Sequence, residues 1–288
     1  EAFKFASYSL RNSEEFIIRI YDHRHFKYDA PHIMLKYLGD KIINDKKFIY
    51  NFAGEHAREI IKFASNELKN DKGFWLKIFS NFRYEIPFNE IGDKLKNDKE
   101  FMLSAISTKF GRYIFRLASR ELKNDKEVVS IAVRRNGLFL QHASDELRND
   151  KEVVLAVLKQ NYKTLKHASE ELKNDKEFVL AALAIEVFAL KYTSEELKNN
   201  KEVVLTAVRQ EGWVLEFASE ELKSDKEVVM AAVSSNGHAL QFASEELRND
   251  KEVVMAAVME HEVALSHASE ELQHDPELIE LARQHLNH

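Results

Sequence analysis

The chain has 288 residues, of which 31% are charged and 44% hydrophobic, with 8 Gly, 3 Pro and no Cys. This composition excludes a disulfide framework and a cysteine-based zinc site, and it argues against a turn-rich all-β fold. The net charge of −6 is uneven: residues 1–120 carry 22 Lys+Arg against 16 Asp+Glu, whereas residues 121–288 carry 20 against 32, so the later part should repel nucleic acid and anionic membranes.

The sequence opens at Glu1 without a Met, and EAFKFASYSLRN matches the second helix of a repeat unit without its first. A fragment of something longer is expected. A series of helix-capping residues then begins: Ser13, Asp45, Asp71, Asp98, Asp125, Asp150, Asp175, Asn200, Asp225, Asp250 and Asp275. Their spacings are 32, 26, 27 and 27, then a fixed 25. Side-chain oxygens of these residue types accept from the free N–H groups of a first helical turn. A fixed period of this size means stacked units, none of which can bury its apolar face alone. The prediction is all-α: a superhelical α-solenoid of about eleven two-helix repeats of about 25 residues each, HEAT-like or leucine-rich-variant-like. Residues 1–97 read as diverged N-terminal repeats and 98–288 as regular repeats.

The first interval is the longest and contains DHRHFKYDAPH, with His23, His25, Asp29 and His32. Two histidines and a carboxylate are possible metal ligands. The preferred reading is a long loop closed by Pro31, with no metal and no cofactor. Fourteen of the 19 Phe lie in residues 1–120, which predicts bulkier packing there, with Tyr84 and Phe88 beside an irregular junction near Pro87.

Each cap predicts a helix of about ten residues, in keeping with the repeat length. After Asp225, Val228, Val229, Ala232 and Val233 share one face. Glu227 occupies the first turn, where the helix dipole favours an anion, and Gly237 offers a left-handed stop. Leu240, Ala243 and Leu247 then recur at i, i+3 and i+7, predicting a second helix. Ser244, followed by Glu245 and Glu246, is an alternative N-cap that would split this helix into a 3₁₀ turn and a short helix. One continuous helix is the preferred reading. The final segment, DPELIELARQHLNH, places Pro276 at a first helical position and turns polar late on, as a terminal cap should.

The segments LKNDKEVVSIAVRRNG, LRNDKEVVLAVLKQN and LKSDKEVVMAAVSSNG resemble a tandem-repeat family known only as domain of unknown function 4116. The similarity is specific from Asp98 onward. It implies a repeat architecture and a setting among effector proteins of intracellular bacteria. It implies no activity and no catalytic residue.

Catalytic motifs are missing: there is no Walker loop, no GxSxG and no GxGxxG, and His261-Glu262 lacks the second histidine of a zincin helix. The recurring acid pairs, such as Glu170-Glu171 and Glu220-Glu221, read as a solvated helix face. His142, His167 and His267 share a slot that holds Phe63, Tyr192, Phe217 or Phe242 elsewhere, which marks a half-buried packing position. The longest apolar run, Phe178 to Leu190, is interrupted by Glu186 and falls short of the roughly 20 residues that span a bilayer.

Comparison of the units with one another locates the variation. The turn between the two helices holds Leu138, Lys163, Phe188, Trp213, His238 and Val263, preceded by Arg134, Lys159, Ala184, Arg209, Ser234 and Met259. Solenoids use such varied positions as an extended recognition edge. One unit reads AIEVF where others read RRNG or SSNG, which places Ala184, Ile185, Val187 and Phe188 at positions expected to face water, between Tyr162 and Trp213. An exposed apolar patch with aromatics marks a binding hot spot, unless the missing Gly lengthens the first helix and buries these side chains. The sequence thus predicts a monomeric, non-catalytic scaffold for a protein partner, cytoplasmic or, as an effector, delivered to a host cytosol through a glutamate-rich tail. Alternatives are a spacer or regulatory arm for a catalytic domain outside the fragment, and nucleic-acid binding by the basic N-terminal part.

Overall fold

In a computed structural model, residues 5–22, 36–52, 57–81 and 86–286 are described. Among them there is no strand; the fold is all-α and built from tandem repeats. The chain clusters into two compact units, Glu1–Ala132 and Val133–His288.

Every predicted cap is a cap. The side chains of all eleven residues from Ser13 to Asp275 accept a hydrogen bond from the backbone N–H three positions on, at 2.6–3.3 Å. The helices that follow include Lys126–Arg135, Lys151–Leu158, Lys176–Ile185, Lys201–Val208, Lys226–Ser235 and Lys251–Glu260. Each buries the residues three, four, seven and eight positions after its cap. These are Val153, Val154, Val157 and Leu158 in one unit, and Val228, Val229, Ala232 and Val233 in another. The same slots hold Phe74, Trp75, Ile78 and Phe79, or Phe101, Met102, Ala105 and Ile106, in the first unit of the chain.

The second helix is not continuous. From Gly137 onward it is a six-residue 3₁₀ helix, as in Gly237–Phe242, an extended break at Ala243 and Ser244, and a four-residue α-helix, Glu245–Arg248; in the repeat after Asp98 the first piece is a five-residue α-helix, Gly111–Phe115. The serine causes the break: Ser244 is extended at φ −58°, ψ 158°, and its Oγ caps the short helix by accepting from Leu247 N. The i, i+3 pair Leu240 and Ala243 suits three residues per turn as well as 3.6, so the apolar spacing alone did not separate the two forms.

Gly237 is likewise no left-handed stop, for none of the described residues has positive φ. The long helix ends instead at Asn236, whose extended backbone (φ −158°) and Oδ1 cap the 3₁₀ helix by accepting from His238 N. Asn136, Asn161, Glu186 and Glu211 do the same in their units. At Gly212 and Gly237 the bare backbone makes a close approach, since a Cβ there would overlap the carbonyl oxygen of Ala232 or Ala257 in the next layer, whereas Tyr162, Val187 and Glu262 occupy the position in other layers.

Three stitches repeat between successive layers of the second unit. Backbone N–H groups of Ser169, Ser194, Ser219, Ser244 and Ser269 donate to the carbonyls of Arg148, Lys173, Lys198, Lys223 and Arg248 at 2.9–3.0 Å. The Oγ of Ser169, Ser194, Ser219 and Ser269 lies 2.5 Å from the Oδ1 of Asn149, Asn174, Asn199 and Asn249. The Nδ2 groups of Asn149, Asn174 and Asn199 donate to Glu171, Glu196 and Glu221. Glu171, Glu196 and Glu221 are thus structural acceptors as well as solvated charges. The third stitch is ionic: Lys151, Lys201, Lys226 and Lys251 reach Asp175, Asp225, Asp250 and Asp275 at 2.5–2.9 Å. The uncharged cap Asn200 diverts Lys176 to Glu202.

Candidate interaction edge

The variable positions fall on the final turn of each long helix and on the 3₁₀ helix that follows. The 3₁₀ helices Gly137–His142, Tyr162–His167, Val187–Tyr192, Gly212–Phe217, Gly237–Phe242 and Glu262–His267 pack on one another in sequence. Their second and third apolar positions, such as Val214 and Leu215, point into the core and are buried. That geometry leaves the second and fifth side chains of each 3₁₀ helix outward, so neighbouring units present equivalent residues side by side.

Arg134, Lys159, Ala184, Arg209, Ser234 and Met259 are all exposed, as are Ile185, Lys163 and Trp213. Tyr162, Val187, Phe188 and His238 are half-buried. The apolar quartet therefore divides: Ala184 and Ile185 face water, whereas Val187 and Phe188 are partly covered. The missing Gly does not lengthen the helix, because Lys176–Ile185 has ten residues, as Lys226–Ser235 does. Glu186 takes the capping role of Asn236, accepting from Phe188 N.

The half-burial comes from contacts between layers. Tyr162 lies 5.9 Å from Phe188 and 6.0 Å from Tyr192. Lys191 Nζ sits 5.1 Å over the ring of Phe217. Trp213 meets Phe242 edge-on at 5.3 Å and His238 at 6.4 Å. His238 then stands 4.4 Å from His261 and 5.7 Å from His267. The slot is half-buried as expected at His142, His167, Tyr192, Phe217, Phe242 and His267 but exposed at Phe63, and in several layers it receives the edge residue of the layer before. Sequence comparison within single units did not reveal these pairs, because the partners stand 29 or 30 residues apart, across a layer boundary. Burial holds the imidazoles of His167 and His267 below the usual histidine range, with neighbouring cations adding to it.

Electrostatics distinguishes this edge from the lysine–aspartate bridges between layers. The hydrogen bond from Lys201 or Lys226 is the largest influence on Asp225 or Asp250 and holds each below the usual carboxylate range despite partial burial. Asp175 and Asp275 are lowered by Lys151 and Lys251 and by the capped backbone N–H. Among the described residues, no carboxylate pairs with Arg134, Lys159, Lys163, Lys166 or Arg209.

The remaining expectations find these places. His23, His25, Asp29, His32 and Tyr84 lie outside the described residues. Phe88 is half-buried, stacked on Tyr113 at 5.2 Å and 5.6 Å from Phe110. Among the described residues, no group of three or more His, Asp or Glu is placed to hold a metal ion, and no helix is long and apolar enough to cross a membrane.

No curated protein and no solved structure is significantly similar to the chain. A family model, the Domain of unknown function (DUF4116), matches residues 108–148, 125–173, 150–198, 175–223 and 225–273. These overlapping matches follow the 25-residue layers, each spanning about two of them, and together cover more than half of the sequence; the chain belongs to the DUF4116 family.

Proposed function

We propose that the protein is a non-catalytic repeat scaffold that binds another protein along the 3₁₀ edge of its second unit. The supporting observation is the edge itself. Large apolar side chains stay open there, Ile185 at 40%, Trp213 at 39%, Met259 at 57% and Val263 at 49% exposure, while the core slots beneath them are closed. Such rings and aliphatic chains contribute little to folding and are suited to anchoring a partner.

The test separates stability from binding. A buried Trp truncated to Ala costs about 3–5 kcal/mol. Trp213→Ala is expected to cost under about 1 kcal/mol in denaturant unfolding, since it leaves no closed cavity. In cross-linked capture from the protein's natural setting, Trp213→Ala and Ile185→Ser should each reduce recovery of a partner. An unfolding loss of several kcal/mol, or capture indifferent to both substitutions, would remove the reading. Family membership and the glutamates of the tail, Glu270, Glu271, Glu277 and Glu280, favour a setting as the repeat region of a bacterial effector. A reporter carrying this tail that is never translocated would count against it.

A further inference from the structure

The exposed slots of the edge change character from layer to layer. The first layer of the second unit presents Arg134 and Arg135 with Leu138 and Gln141. The second presents Lys159, Lys163 and Lys166, with Gln160 between them. In the third, Ala184 and Ile185 are exposed, Phe188 is half-covered, and Lys191 lies over Phe217. The fourth presents Arg209 and Trp213, with Glu216 at its margin. Two further acids belong to this stretch, Glu186 and Glu211, and both are turned inward to backbone N–H groups of the 3₁₀ helices. The surface therefore runs from cationic to apolar along four consecutive layers.

Most of the other Lys and Arg side chains described in this unit are engaged, Arg248 being an exception. Lys173, Lys198 and Lys223 bridge to Glu170, Glu195 and Glu220, and the long-helix lysines bridge to the next cap. Arg134, Lys159, Lys163, Lys166 and Arg209 have no such partner among the described residues. Unpaired like charges on adjacent layers repel one another, and an anionic ligand relieves that repulsion.

We propose that the edge from Arg134 to Trp213 binds an extended acidic peptide segment of another protein. Its carboxylates lie over the first two layers, and its apolar side chains lie against Ile185, Phe188 and Trp213. The proposal rests on the scaffold reading and adds the chemistry of the partner. Helical layers pack about 8–10 Å apart, so four layers span roughly 24–30 Å. An extended chain covers that distance in about nine residues at ~3.3 Å each, which sets a register of about three residues per layer. A nucleic-acid strand fits less well. It carries a charge at every nucleotide, and beyond the second layer it would meet the aliphatic Ala184 and Ile185 and then Glu216, without a continuous row of cations or stacking rings.

The experiment is a selection of displayed random peptides, longer than this span, on the full chain. Enriched peptides are then measured by fluorescence anisotropy, with labelled oligo(dT) and oligo(U) as competing probes. The expected result is enrichment of Asp and Glu in one half of the peptides and of aromatic or aliphatic residues about three positions apart in the other. The triple substitution Lys159→Glu, Lys163→Glu, Lys166→Glu should weaken binding by about tenfold or more, with Lys→Gln at the same sites intermediate, and added salt should weaken it further. Circular dichroism on both triple variants controls for folding. Peptides that bind this edge without acidic bias would overturn the partner chemistry and leave the scaffold reading standing. Peptides indifferent to every edge substitution, or no enriched peptide at all, would overturn both. Tighter binding of either oligonucleotide, lost in the same variants, would overturn the proposal in favour of nucleic acid.

Discussion

The second compact unit solves one capping problem in a single way, and the first solves it in two. In the second unit the short helix is capped by its own serine, as Ser169 Oγ accepts from Leu172 N, and the asparagine of the previous layer contacts that serine. In the first unit Ser7, Ser65 and Ser119 cap their short helices in the same way, but in two layers Gly39 and Gly92 stand in the serine's place. There the preceding asparagine moves into the space and caps the helix itself: Asn12 Oδ1 accepts from Lys41 N, and Asn70 Oδ1 accepts from Lys94 N, each at 3.0 Å. A Cβ on either glycine would overlap that asparagine. The cores differ in the same spirit. The slots hold mostly Val, Ala and Leu in the second unit, Phe178 being an exception, and include Phe74, Trp75, Ile78, Phe79, Phe101, Met102 and Ile106 in the first, where the caps from Asp45 to Asp125 stand 26 or 27 residues apart instead of 25. The fold is therefore defined by slots and caps, and the side chains that fill them vary more than a strict repeat would suggest.

The largest test of this comparison is in the first core. Trp75 is fully buried, rests against Phe74 and Phe79, and donates from Nε1 to the Lys69 carbonyl at 2.8 Å. Trp75→Ala should cost about 3–5 kcal/mol in denaturant unfolding. The equivalent slot in the second unit holds Val229, whose truncation to Ala removes two methyl groups and should cost distinctly less. Equal losses at the two positions would show that the slots are not equivalent.

Acid should act next, because it reaches several caps at once. The folded-state pKa values of Asp71, Asp125, Asp175, Asp225, Asp250 and Asp275 are lowered. Their contribution is complete above the unfolded carboxylate value, about 3.9, and is lost as pH falls from there through the lower folded values. Thermal unfolding followed from neutral pH into this range should show a falling midpoint. Asp225→Asn should flatten that dependence, since Asn200 already caps its helix without a charge.

Two glycines should respond with opposite signs. Gly237→Ala forces a methyl group against the Ala257 carbonyl, a backbone atom that cannot turn aside, at a cost of about 1–3 kcal/mol. Gly73→Ala, exposed in the helix Lys72–Asn81 with only ordinary contact to Asp71, should gain about 0.5–1 kcal/mol from helix propensity. Matching signs in urea titrations would contradict the close-approach account.

How much of this was legible in the sequence differs by type of feature. Caps and apolar slots were fully readable, because each is decided within one helix. The broken second helix was only half readable: Ser244 announced a cap, but Leu240, Ala243 and Leu247 fit either helix type. The role of Gly237 was hidden, since glycine serves left-handed turns and close contacts alike, and only the neighbouring layer distinguishes them. The pairing of Trp213 with Phe242 was hidden for the same reason.

The smallest expected effect concerns a single irregular stitch. Ser224 replaces the asparagine found at 149, 174, 199 and 249, and its Oγ turns back to the Glu220 carbonyl. Ser224→Asn should restore bonds to Ser244 and Glu246 and raise stability by about 0.5–1.5 kcal/mol in chemical unfolding. No gain would mean that these side-chain bonds merely replace solvation.

That missing asparagine also has a mechanical meaning. Layers joined in series all carry the same tension when the second unit is pulled, whatever their individual strengths. Between the short helices Glu220–Lys223 and Glu245–Arg248, the load passes through the backbone bond from Ser244 to Lys223 and the lysine bridge from Lys226 to Asp250, without the asparagine link that other layers add. This level has fewer polar links than its neighbours, so a pulling experiment is expected to open the second unit there first.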